Sequence, residues 1–305
     1  MKKKSQWIDL NLLRNFEAEG TDAHRLCTIE DGWVERFERD ILISYKTDSA
    51  RDQLILELNS WSAATGFTFG RIFARNLPKQ NAEREAPRLM SGDAKENLQT
   101  TAKEWLLRYG IDFGAGYSVG LFVDQRANRR HVRKIAPKRL LNCFAYTCSF
   151  AVAAGSAGAK TVNVDLSKKS LARGKENFGL NGLATAEHSF IADDVLSVLP
   201  RLARKGEKFD AIILDPPTFS RSHRGNVFQV EEDFEKLLVA ALEVAERNAR
   251  ILISTNCSTL RERALEVLAR YCLKVTRRAG IFHREPPPPD FPPGTAASTV
   301  WLTLR

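Results

Sequence analysis

The stretch of sequence that decides the fold runs from Arg139 to Asp165 and reads RLLNCFAYTCSFAVAAGSAGAKTVNVD. It begins with a short apolar run, continues through a polar turn and a helical stretch, and ends with a second short apolar run. Apolar runs of this length are typical of strands that are covered on both faces of a parallel sheet. The stretch therefore predicts one strand–helix–strand unit.

The same alternation of apolar runs and amphipathic stretches continues beyond Asp165. Repeated units of this length indicate a doubly wound, Rossmann-like α/β sheet with parallel strands. The predicted strands are Arg139–Phe144, Lys160–Asp165, Glu187–Ala192, Phe209–Asp215 and Arg250–Thr255. The predicted helices are Phe150–Ala157, Lys168–Asn181, Val195–Ala203, Glu231–Asn248 and Thr259–Cys272. Two last strands, Lys274–Ile281 and Ser298–Leu304, predict an antiparallel hairpin at the end of the sheet.

The chain before this sheet has a different pattern and predicts a smaller domain. We divide the chain into an N-terminal extension (1–20), a small α/β domain (21–118) and the sheet domain (119–305). In the small domain, Cys27–Lys46 and Phe67–Phe73 are rich in strand-forming residues, and Ala50–Ala63 has helical spacing. Residues 78–100 are polar and contain prolines, which predicts an exposed loop.

Composition and charge limit the classes of function. The chain has 305 residues, 43% hydrophobic and 27% charged, which is the mixture of a globular protein large enough for two domains. No apolar stretch is long enough to span a membrane, and no signal sequence follows the basic N-terminus, so we expect a cytoplasmic protein. The net charge of +9 favours a polyanionic partner such as RNA, although many basic proteins bind no nucleic acid.

The five cysteines are scattered and form no CxxC pair. This pattern predicts neither a disulfide framework nor a zinc site, and we expect no metal. Each cysteine is by default a small buried hydrophobic residue, so a functional one needs its own argument.

Carboxylates follow three successive strands, at the edge of the sheet where ligands of this fold bind. Asp165 ends the second strand, Asp193 and Asp194 follow the third, and Asp215 ends the fourth. A carboxylate after the second strand can accept hydrogen bonds from both hydroxyls of a ribose, and one after the third can accept from an adenine amino group. Each acid alone is more readily a helix cap, but their order at successive strand ends favours an adenosine cofactor.

The first turn of the sheet, from Phe144 to Ser149, distinguishes two adenosine cofactors. NAD requires a glycine-rich first turn, because the backbone must approach the pyrophosphate closely. This turn contains no glycine. S-adenosylmethionine has no phosphate and relaxes the requirement, so the sequence favours it.

The fourth strand ends in Asp215-Pro216-Pro217-Thr218-Phe219. The prolines fix the backbone and leave carbonyl groups without competing N–H partners, so the turn can present Asp215 and main-chain oxygens to a flat substrate. Phe219 can stack on a base. The alternative is a tight turn with a capping acid.

The fifth strand leads into Asn256, Cys257 and Ser258 at the same edge. A thiolate of Cys257 could attack carbon 6 of a cytosine and thereby activate carbon 5 for methylation. Protonated Asp215 could donate to ring nitrogen 3. A helix beginning at Thr259 would favour the thiolate; in the alternative interpretation, Cys257 only packs beneath that helix.

Two basic stretches accompany these motifs. Ser220 to Gly225 contains Arg221 and Arg224 and suits contacts with phosphate groups. Gly120 to His131 precedes the first strand and is either a lid over the site or a solvated connector.

In this order, the motifs resemble the bacterial 23S rRNA methyltransferases, which depend on S-adenosylmethionine. The segments that carry the resemblance are Gly120–Arg126, Asn142–Thr147, Val164–Ser167, Asn177–Asn181, Asp215–Phe219 and Asn256–Ser258. The match is strong over residues 110–260, whereas residues 24–76 resemble the family's central α/β domain less specifically. Two branches fit. One methylates C5 of cytosine with a cysteine at the position of Cys257, and the other methylates N7 of guanine without it.

The resemblance implies a role for individual residues. Tyr146 and Ser149 would line the methionine part of the cofactor, and Asp165 would hold the ribose. Asp194 would lie beside the adenine, and Asp215 at the target base.

Phe122 and Arg126 would close the pocket. The full set expected around the cofactor is Phe122, Arg126, Phe144, Tyr146, Thr147, Ser149, Asp165, Leu166, Asp193, Asp194, Asp215 and Pro216. The set expected around the RNA is Pro217, Phe219, Arg221, Arg224 and Asn256. The expected catalytic residues are Cys257 and Asp215.

Three departures from the family pattern matter. Cys148 stands where the family has a glycine, and its side chain would crowd the cofactor. The small N-terminal RNA-binding domain of the cytosine-5 branch has no counterpart in this sequence, and Asn256 is closer to the guanine-N7 branch.

We predict an RNA methyltransferase, monomeric or homodimeric, acting on cytosine C5. The alternatives are guanine N7, a non-catalytic RNA-binding protein that keeps the fold, and a methyltransferase of small molecules or proteins.

Overall fold

The computed structural model describes residues 5–77, 84–95, 97–221 and 227–305. The chain divides into two compact units. The first comprises Met1–Asp124 together with Pro288–Pro293, and the second comprises Gln125–Pro287 together with Gly294–Arg305. Each unit has its own sheet, and the sites predicted around the carboxylates belong to the second.

The first unit contains a six-stranded sheet and a separate hairpin. Its strands are β1 (Gln6–Trp7), β2 (Ala23–Ile29), β3 (Gly32–Phe37), β4 (Asp40–Tyr45), β5 (Ile72–Asn76), β6 (Arg88–Ser91), β7 (Gln99–Glu104) and β8 (Leu107–Asp112). Its helices are α1 (Leu10–Ala18) and α2 (Asp48–Thr65). Strands β1 to β6 lie in chain order, and only β4 and β5 pair in parallel. Leu13 and Phe16 of α1 are buried in the core, so residues 5–20 are part of this fold.

Two predictions for the first unit are wrong in detail. The strand expected at Phe67–Phe73 is β5, which begins only at Ile72. An apolar residue stands at position 67 although it is not in a strand, because the ring of Phe67 packs on Trp61 of α2, with centroids 5.1 Å apart. The loop expected over residues 78–100 contains β6, which pairs with β5; residues 78–83 and 96 lie outside the described part of the chain.

The second unit is a doubly wound sheet. Its strands are β9 (Arg139–Cys143), β10 (Lys160–Asp165), β11 (Ser189–Ala192), β12 (Phe209–Leu214), β13 (Phe219–Arg221), β14 (Val227–Gln229), β15 (Ala245–Thr255), β16 (Gly280–His283) and β17 (Ser298–Leu304). Its helices are α3 (Arg126–Ile135), α4 (Ser149–Gly155), α5 (Lys168–Leu180), α6 (Val195–Arg204), α7 (Val230–Val244) and α8 (Glu262–Val275). The strand order is β11-β10-β9-β12-β15-β17-β16, and the last two strands are antiparallel. This confirms the predicted sheet and its terminal hairpin.

Two boundaries around β15 differ from the predicted ones because of strand pairing with a distant part of the chain. Helix α7 ends at Val244, and the four residues after it are strand rather than helix. Ala245 pairs with Phe209 of β12, and a shift in register follows before the regular part of β15. The local sequence suits a helix, but the vacant edge of β12 provides partners for an extended chain.

Three further boundaries differ from the predictions. Helix α8 begins at Glu262 and runs to Val275, because Cys272 and Leu273 are buried on its inner face. The first strand of the terminal hairpin therefore begins at Gly280 rather than at Lys274. Strand β11 begins at Ser189, since a short 3-10 turn occupies the residues before it.

Helices cover the sheet of the second unit in two groups. Helices α3, α4 and α5 contact one another in sequence, and so do α6, α7 and α8. The central strands between them are buried, with Leu141, Ile212 and Leu252 at 0% exposure. Among the described residues, no helix has the length and apolar character needed to cross a membrane.

The strand register aligns the carboxyl ends of the parallel strands. Cys143 of β9 pairs with Val164 of β10 and with Leu214 of β12, and Leu214 pairs with Ile253 of β15. The residues that directly follow this row are Phe144, Asp165, Asp215 and Ser254. The site residues predicted at these strand ends therefore share one edge of the sheet, where doubly wound folds bind their ligands.

Cys148 is accommodated by a glycine of the neighbouring helix. Its backbone is left-handed (φ 60°, ψ 28°), the conformation in which glycine avoids strain. Its side chain is fully buried, and a Cβ built on Gly174 of α5 would lie 2.5 Å from its Sγ. The side chain is thus turned toward α5 in the interior, and not toward a cofactor as we expected.

We predict that Gly174→Ala lowers the free energy of unfolding by about 1–3 kcal/mol, because its Cβ would overlap the Cys148 thiol in a packed interior. The double variant Cys148→Gly/Gly174→Ala should recover most of this loss. Gly179→Ala is the matched control on α5, since its Cβ would meet nothing within 4 Å. Urea denaturation measures the coupling, and additive effects of the two substitutions would contradict the contact.

Candidate active site

Asp165 joins the ends of two neighbouring strands. It is the last residue of β10, and its carboxylate accepts hydrogen bonds from the backbone N–H of Tyr146 (2.8 Å) and of Ser167 (2.8 Å). The first bond holds the turn after β9, and the second holds the residue that caps α5. A single side chain therefore fixes both segments at this edge of the sheet.

The turn held by Asp165 is strained. Phe144, Tyr146 and Cys148 have left-handed backbones, with φ of 57°, 47° and 60°. This conformation costs a non-glycine residue roughly 1–2 kcal/mol, so it persists only where the surroundings impose it. Asn177 of α5 adds a second support, because its Nδ2 donates to the carbonyl of Thr147 at 2.9 Å. Backbone strain held in this way is typical of ligand sites.

The Asp165 carboxylate retains capacity for two more hydrogen bonds in its plane. Oδ1 accepts from Ser167 and Oδ2 from Tyr146, and each carboxylate oxygen has two lone pairs. Burial raises the pKa of Asp165 above its ordinary value of 3.8, and the two backbone hydrogen bonds oppose this rise. The remaining lone pairs match the two hydroxyls of a ribose.

A pocket of about 350 Å³ lies at the ends of β10 and β11. Its lining residues are Leu166, Asp194, Leu196, Ser197, Ser220, Val227 and Phe228. The volume falls within the range of roughly 300–1,000 Å³ that is usual for small-molecule sites. Four of the seven lining residues are apolar and one carries a carboxylate, which suits a flat base that carries an amino group.

The two acids after β11 have different surroundings. Asp194 caps α6, and its Oδ2 accepts from the N–H (3.1 Å) and the hydroxyl (2.9 Å) of Ser197. Its Oδ1 has no hydrogen bond to the parts of the chain that the structure describes. Asp193 forms an ion pair with Arg201 and does not line the pocket. Capping and ligand binding are therefore compatible in Asp194, whereas Asp193 is engaged elsewhere.

A small hairpin, β13–β14, forms one wall of the pocket. Phe228 of β14 is buried and packs on Phe144 of the strained turn, with ring centroids 5.4 Å apart. The sequence predicts a basic loop from Ser220 to Gly225, but Ser220 and Arg221 lie in β13. Arg221 is exposed, and Arg224 lies outside the described residues. Val227 and Phe228 were not predicted as site residues. Their strand, β14, has only three residues and leaves too short a pattern in the sequence to be recognised.

The turn after β12 presents polar and aromatic groups. Asp215 is half-buried, Pro216 is buried, Pro217 is exposed, and the ring of Phe219 is 54% exposed. The carbonyl of Thr218 accepts from the first N–H of α7 at 3.1 Å, which fixes the turn to that helix. An exposed phenylalanine on a fixed turn is suited to stacking on a base.

Cys257 is buried and hydrogen-bonded beyond the end of β15. Its Sγ lies 3.0 Å from Oγ1 of Thr259, which in turn donates to Oε1 of Glu231 on α7. The helix predicted to begin at Thr259 begins at Glu262, so that predicted boundary is wrong by three residues. Asn256 is exposed beside the cysteine. Neither Thr259 nor Glu231 was identified as a site residue from the sequence.

The remaining predicted residues have varied positions. Thr147 is buried in the strained turn, Ser149 is the first residue of α4, and Leu166 lines the pocket. Arg126 is buried at the start of α3. Phe122 is 43% exposed and belongs to the first compact unit, so its role in closing the pocket stays a prediction.

Comparison with known proteins decides the enzyme class. The profile of the S-adenosylmethionine-dependent methyltransferases matches residues 49–302. The chain belongs to this family.

Relatives of this methyltransferase are found among curated proteins and solved structures. The ribosomal RNA large subunit methyltransferase I of Aeromonas salmonicida is 30% identical over 291 residues, covering 92% of this chain and 73% of the relative. The protein of the same name from Aeromonas hydrophila is 30% identical over 293 residues, with the same coverage. A methyltransferase solved in complex with S-adenosylhomocysteine has a TM-score of 0.84 at 24% identity, covering 97% of this chain and 78% of that one.

These findings confirm the predicted fold, enzyme class and cofactor. The residues present in the methyltransferase fit S-adenosylmethionine: the pocket would take the adenine, Asp165 the ribose, and the strained turn the methionine part. The roles of the single residues remain predictions.

We predict that acid weakens the binding of S-adenosylmethionine through Asp165. Ribose hydroxyls donate to the charged carboxylate, and because burial raises the pKa of Asp165, its protonation competes at pH values above the ordinary 3.8. Each pH unit below the raised pKa should weaken binding up to about tenfold. Calorimetry across pH measures this, and Asp165→Asn should bind weakly throughout. Asp193→Asn is the control and should keep the pH dependence.

Protonation of Asp165 has opposite effects on cofactor binding and on the stability of the fold: it weakens binding but does not lower stability. Because the folded pKa of Asp165 is raised, its contribution to stability is complete below the unfolded pKa and is lost as the pH rises through the folded pKa. Loss of binding in mild acid without a fall in the melting temperature would therefore assign the effect to the site. Unchanged affinity down to the acid limit of folding would contradict the role of Asp165.

Proposed function

We propose that this methyltransferase methylates carbon 5 of a cytosine in 23S ribosomal RNA, with Cys257 as the nucleophile. The relatives named as large-subunit ribosomal RNA methyltransferases and the net charge of +9 support an RNA substrate. The observation that carries the choice of cytosine C5 is the hydrogen-bonded chain from Cys257 through Thr259 to Glu231. A ribosomal RNA substrate would place the reaction in the cytoplasm.

The chain gives the thiol a route for its proton. The Thr259 hydroxyl has one hydrogen, which it donates to Glu231, so its oxygen is the acceptor for the thiol of Cys257. A proton that leaves Sγ can move to Thr259 while the threonine proton moves to Glu231. A nucleophile whose proton has a carboxylate acceptor within two hydrogen bonds is suited to covalent catalysis.

Cys257 and Asp215 would act on the base in sequence. The thiolate forms a bond to carbon 6 while protonated Asp215 gives its proton to nitrogen 3, so carbon 5 becomes nucleophilic. S-adenosylmethionine supplies an electrophilic methyl group. Carbon 5 then loses its proton to solvent, the bond between Sγ and carbon 6 breaks, and nitrogen 3 returns its proton to Asp215.

The second candidate target is N7 of guanine. Asn256 is exposed next to Cys257 and offers an amide to the edge of a guanine, and it is the residue that resembles the N7 branch. Methylation at N7 needs no covalent bond to the enzyme. Cys257 would then be dispensable, which separates the two candidates.

We predict that Cys257→Ala abolishes methyl transfer to RNA and retains the binding of S-adenosylmethionine. Wild type and variant would receive labelled cofactor and 23S rRNA, followed by mapping of the modified base. RNA containing 5-fluorocytidine should trap a covalent adduct with the wild type only, because carbon 5 then has no proton to lose and the bond between Sγ and carbon 6 cannot break. Cys272→Ala, a buried cysteine on α8, is the control. Full activity of Cys257→Ala, with 7-methylguanosine as product, would support N7 instead.

The hydrogen-bonded chain predicts a second series of variants. Thr259→Val and Glu231→Gln should each lower the rate of methyl transfer roughly 10²–10⁴-fold, the usual contribution of a positioned proton acceptor. Glu232→Gln, the exposed neighbour on α7, is the matched control. Single-turnover rates at several pH values provide the measurement. Rates in Glu231→Gln equal to those in Glu232→Gln would remove the chain from the mechanism.

We predict that RNA binding weakens steeply with salt and that Arg221 contributes to the dependence. Arg221 is exposed on the hairpin beside the pocket, where phosphate groups would pass. Arg221→Gln should reduce the slope of log affinity against log salt by about one. Arg247→Gln, an exposed arginine near the opposite end of β15, should leave the slope unchanged. A flat dependence on salt would contradict an RNA substrate.

A further inference from the structure

Two histidines and a glutamate converge at the edge strand of the second unit. His131 lies on α3, His283 ends β16, and Glu285 follows it closely. The nitrogen and oxygen atoms that these residues offer lie within 4.8 Å of one another. Nδ1 of His131 is 2.7 Å from Oε1 of Glu285, and Nε2 of His283 is 4.0 Å from the same oxygen.

We propose that His131, His283 and Glu285 bind a divalent transition metal ion, with zinc as the best match. Imidazole nitrogen and carboxylate oxygen are zinc ligands, and bonds of about 2.0–2.2 Å separate tetrahedral ligand atoms by roughly 3.4 Å. The two distances to Oε1 lie on either side of that value, so small side-chain movements complete the geometry. Three protein ligands leave the fourth position to water.

The floor of this site is rigid. Both imidazoles pack on Trp301, with ring centroids at 4.5 Å for His131 and 6.1 Å for His283. Trp301 is fully buried, and its Nε1 donates to Oδ1 of Asn128 at 2.9 Å. Ligands held by packed neighbours lose little freedom when a metal binds, which favours affinity.

The cluster is partly exposed to solvent. Nδ1 of His131 contacts Glu285, but its Nε2 is buried without a hydrogen-bond partner in the part of the chain described. The side chains of His131, Glu285 and His283 are 15%, 29% and 39% exposed, so an ion can enter from solvent.

Nearby charges and topology indicate what the metal would do. The positive charges of Arg250 and Lys134 act electrostatically on His131 and would repel a bound metal cation. We therefore expect the metal to bind weakly enough for a chelator to remove it. The bound ion would connect α3 to β16, two elements far apart in the chain. Its role is to stabilise the second unit, separately from methyl transfer.

The test uses the full-length, tag-free protein after metals are removed with a chelator. Calorimetric titration with zinc should show one site, and zinc should raise the melting temperature. His283→Gln and Glu285→Gln should each weaken zinc binding about tenfold or more and remove the thermal shift. Glu30→Gln, an exposed carboxylate of the first unit, is the matched control.

Cobalt distinguishes this site from the cysteines. Bound cobalt should give visible d–d bands that His283→Gln removes, without a sulfur-to-cobalt charge-transfer band. Absence of zinc binding in the wild type would overturn the proposal. Zinc binding that persists undiminished in His283→Gln would overturn it equally, because another part of the chain would then hold the ion.

Discussion

The hydrogen bond from the backbone N–H of Tyr146 to the carboxylate of Asp165 holds the first turn of the sheet against the second strand. Without it, three left-handed residues in one turn would have little to oppose their relaxation. The same carboxylate fixes the start of α5, and its remaining lone pairs would accept hydrogen bonds from the ribose of the cofactor. Structural support and the proposed recognition of the ribose therefore depend on one side chain, so substitutions at Asp165 will change both.

A glycine on the neighbouring helix explains how the first turn accommodates a buried cysteine. A side chain at position 148 needs space, and α5 provides it because Gly174 has no Cβ. The strain of the left-handed cysteine remains, and Asp165 and Asn177 hold the turn on either side of it. The side chain at position 148 is thus accommodated by the surface of α5, and a cofactor would not have to make room for it.

The hairpin β13–β14 connects the two halves of the proposed reaction. Successive side chains of a strand point to opposite faces. On β13, Ser220 faces the pocket, whereas Phe219 and Arg221 are exposed. In the proposed reaction, the cofactor side and the RNA side would therefore be two faces of one short strand. Phe228 of the paired strand β14 packs on Phe144 of the strained turn.

The sequence by itself determined the sheet and the acids at its edge. Strands β9, β10 and β12 match their predicted runs within one residue at each end, because each has buried apolar residues at its centre, such as Leu141, Val164 and Ile212. Asp165, Asp194 and Asp215 were found for a related reason: a strand end is a local signal, and the direction of parallel strands brings all such ends to one edge.

Only the tertiary structure decided what depends on partners distant in the chain. Residues after Val244 become strand because β12 offers them an edge, and β13 exists because β14 pairs with it. Glu231 reaches Cys257 through Thr259 across α7 and β15, and His131 meets Glu285 across α3 and β16. No local pattern encodes such pairs, since hydrogen bonds and metal sites require proximity in space, which packing alone creates.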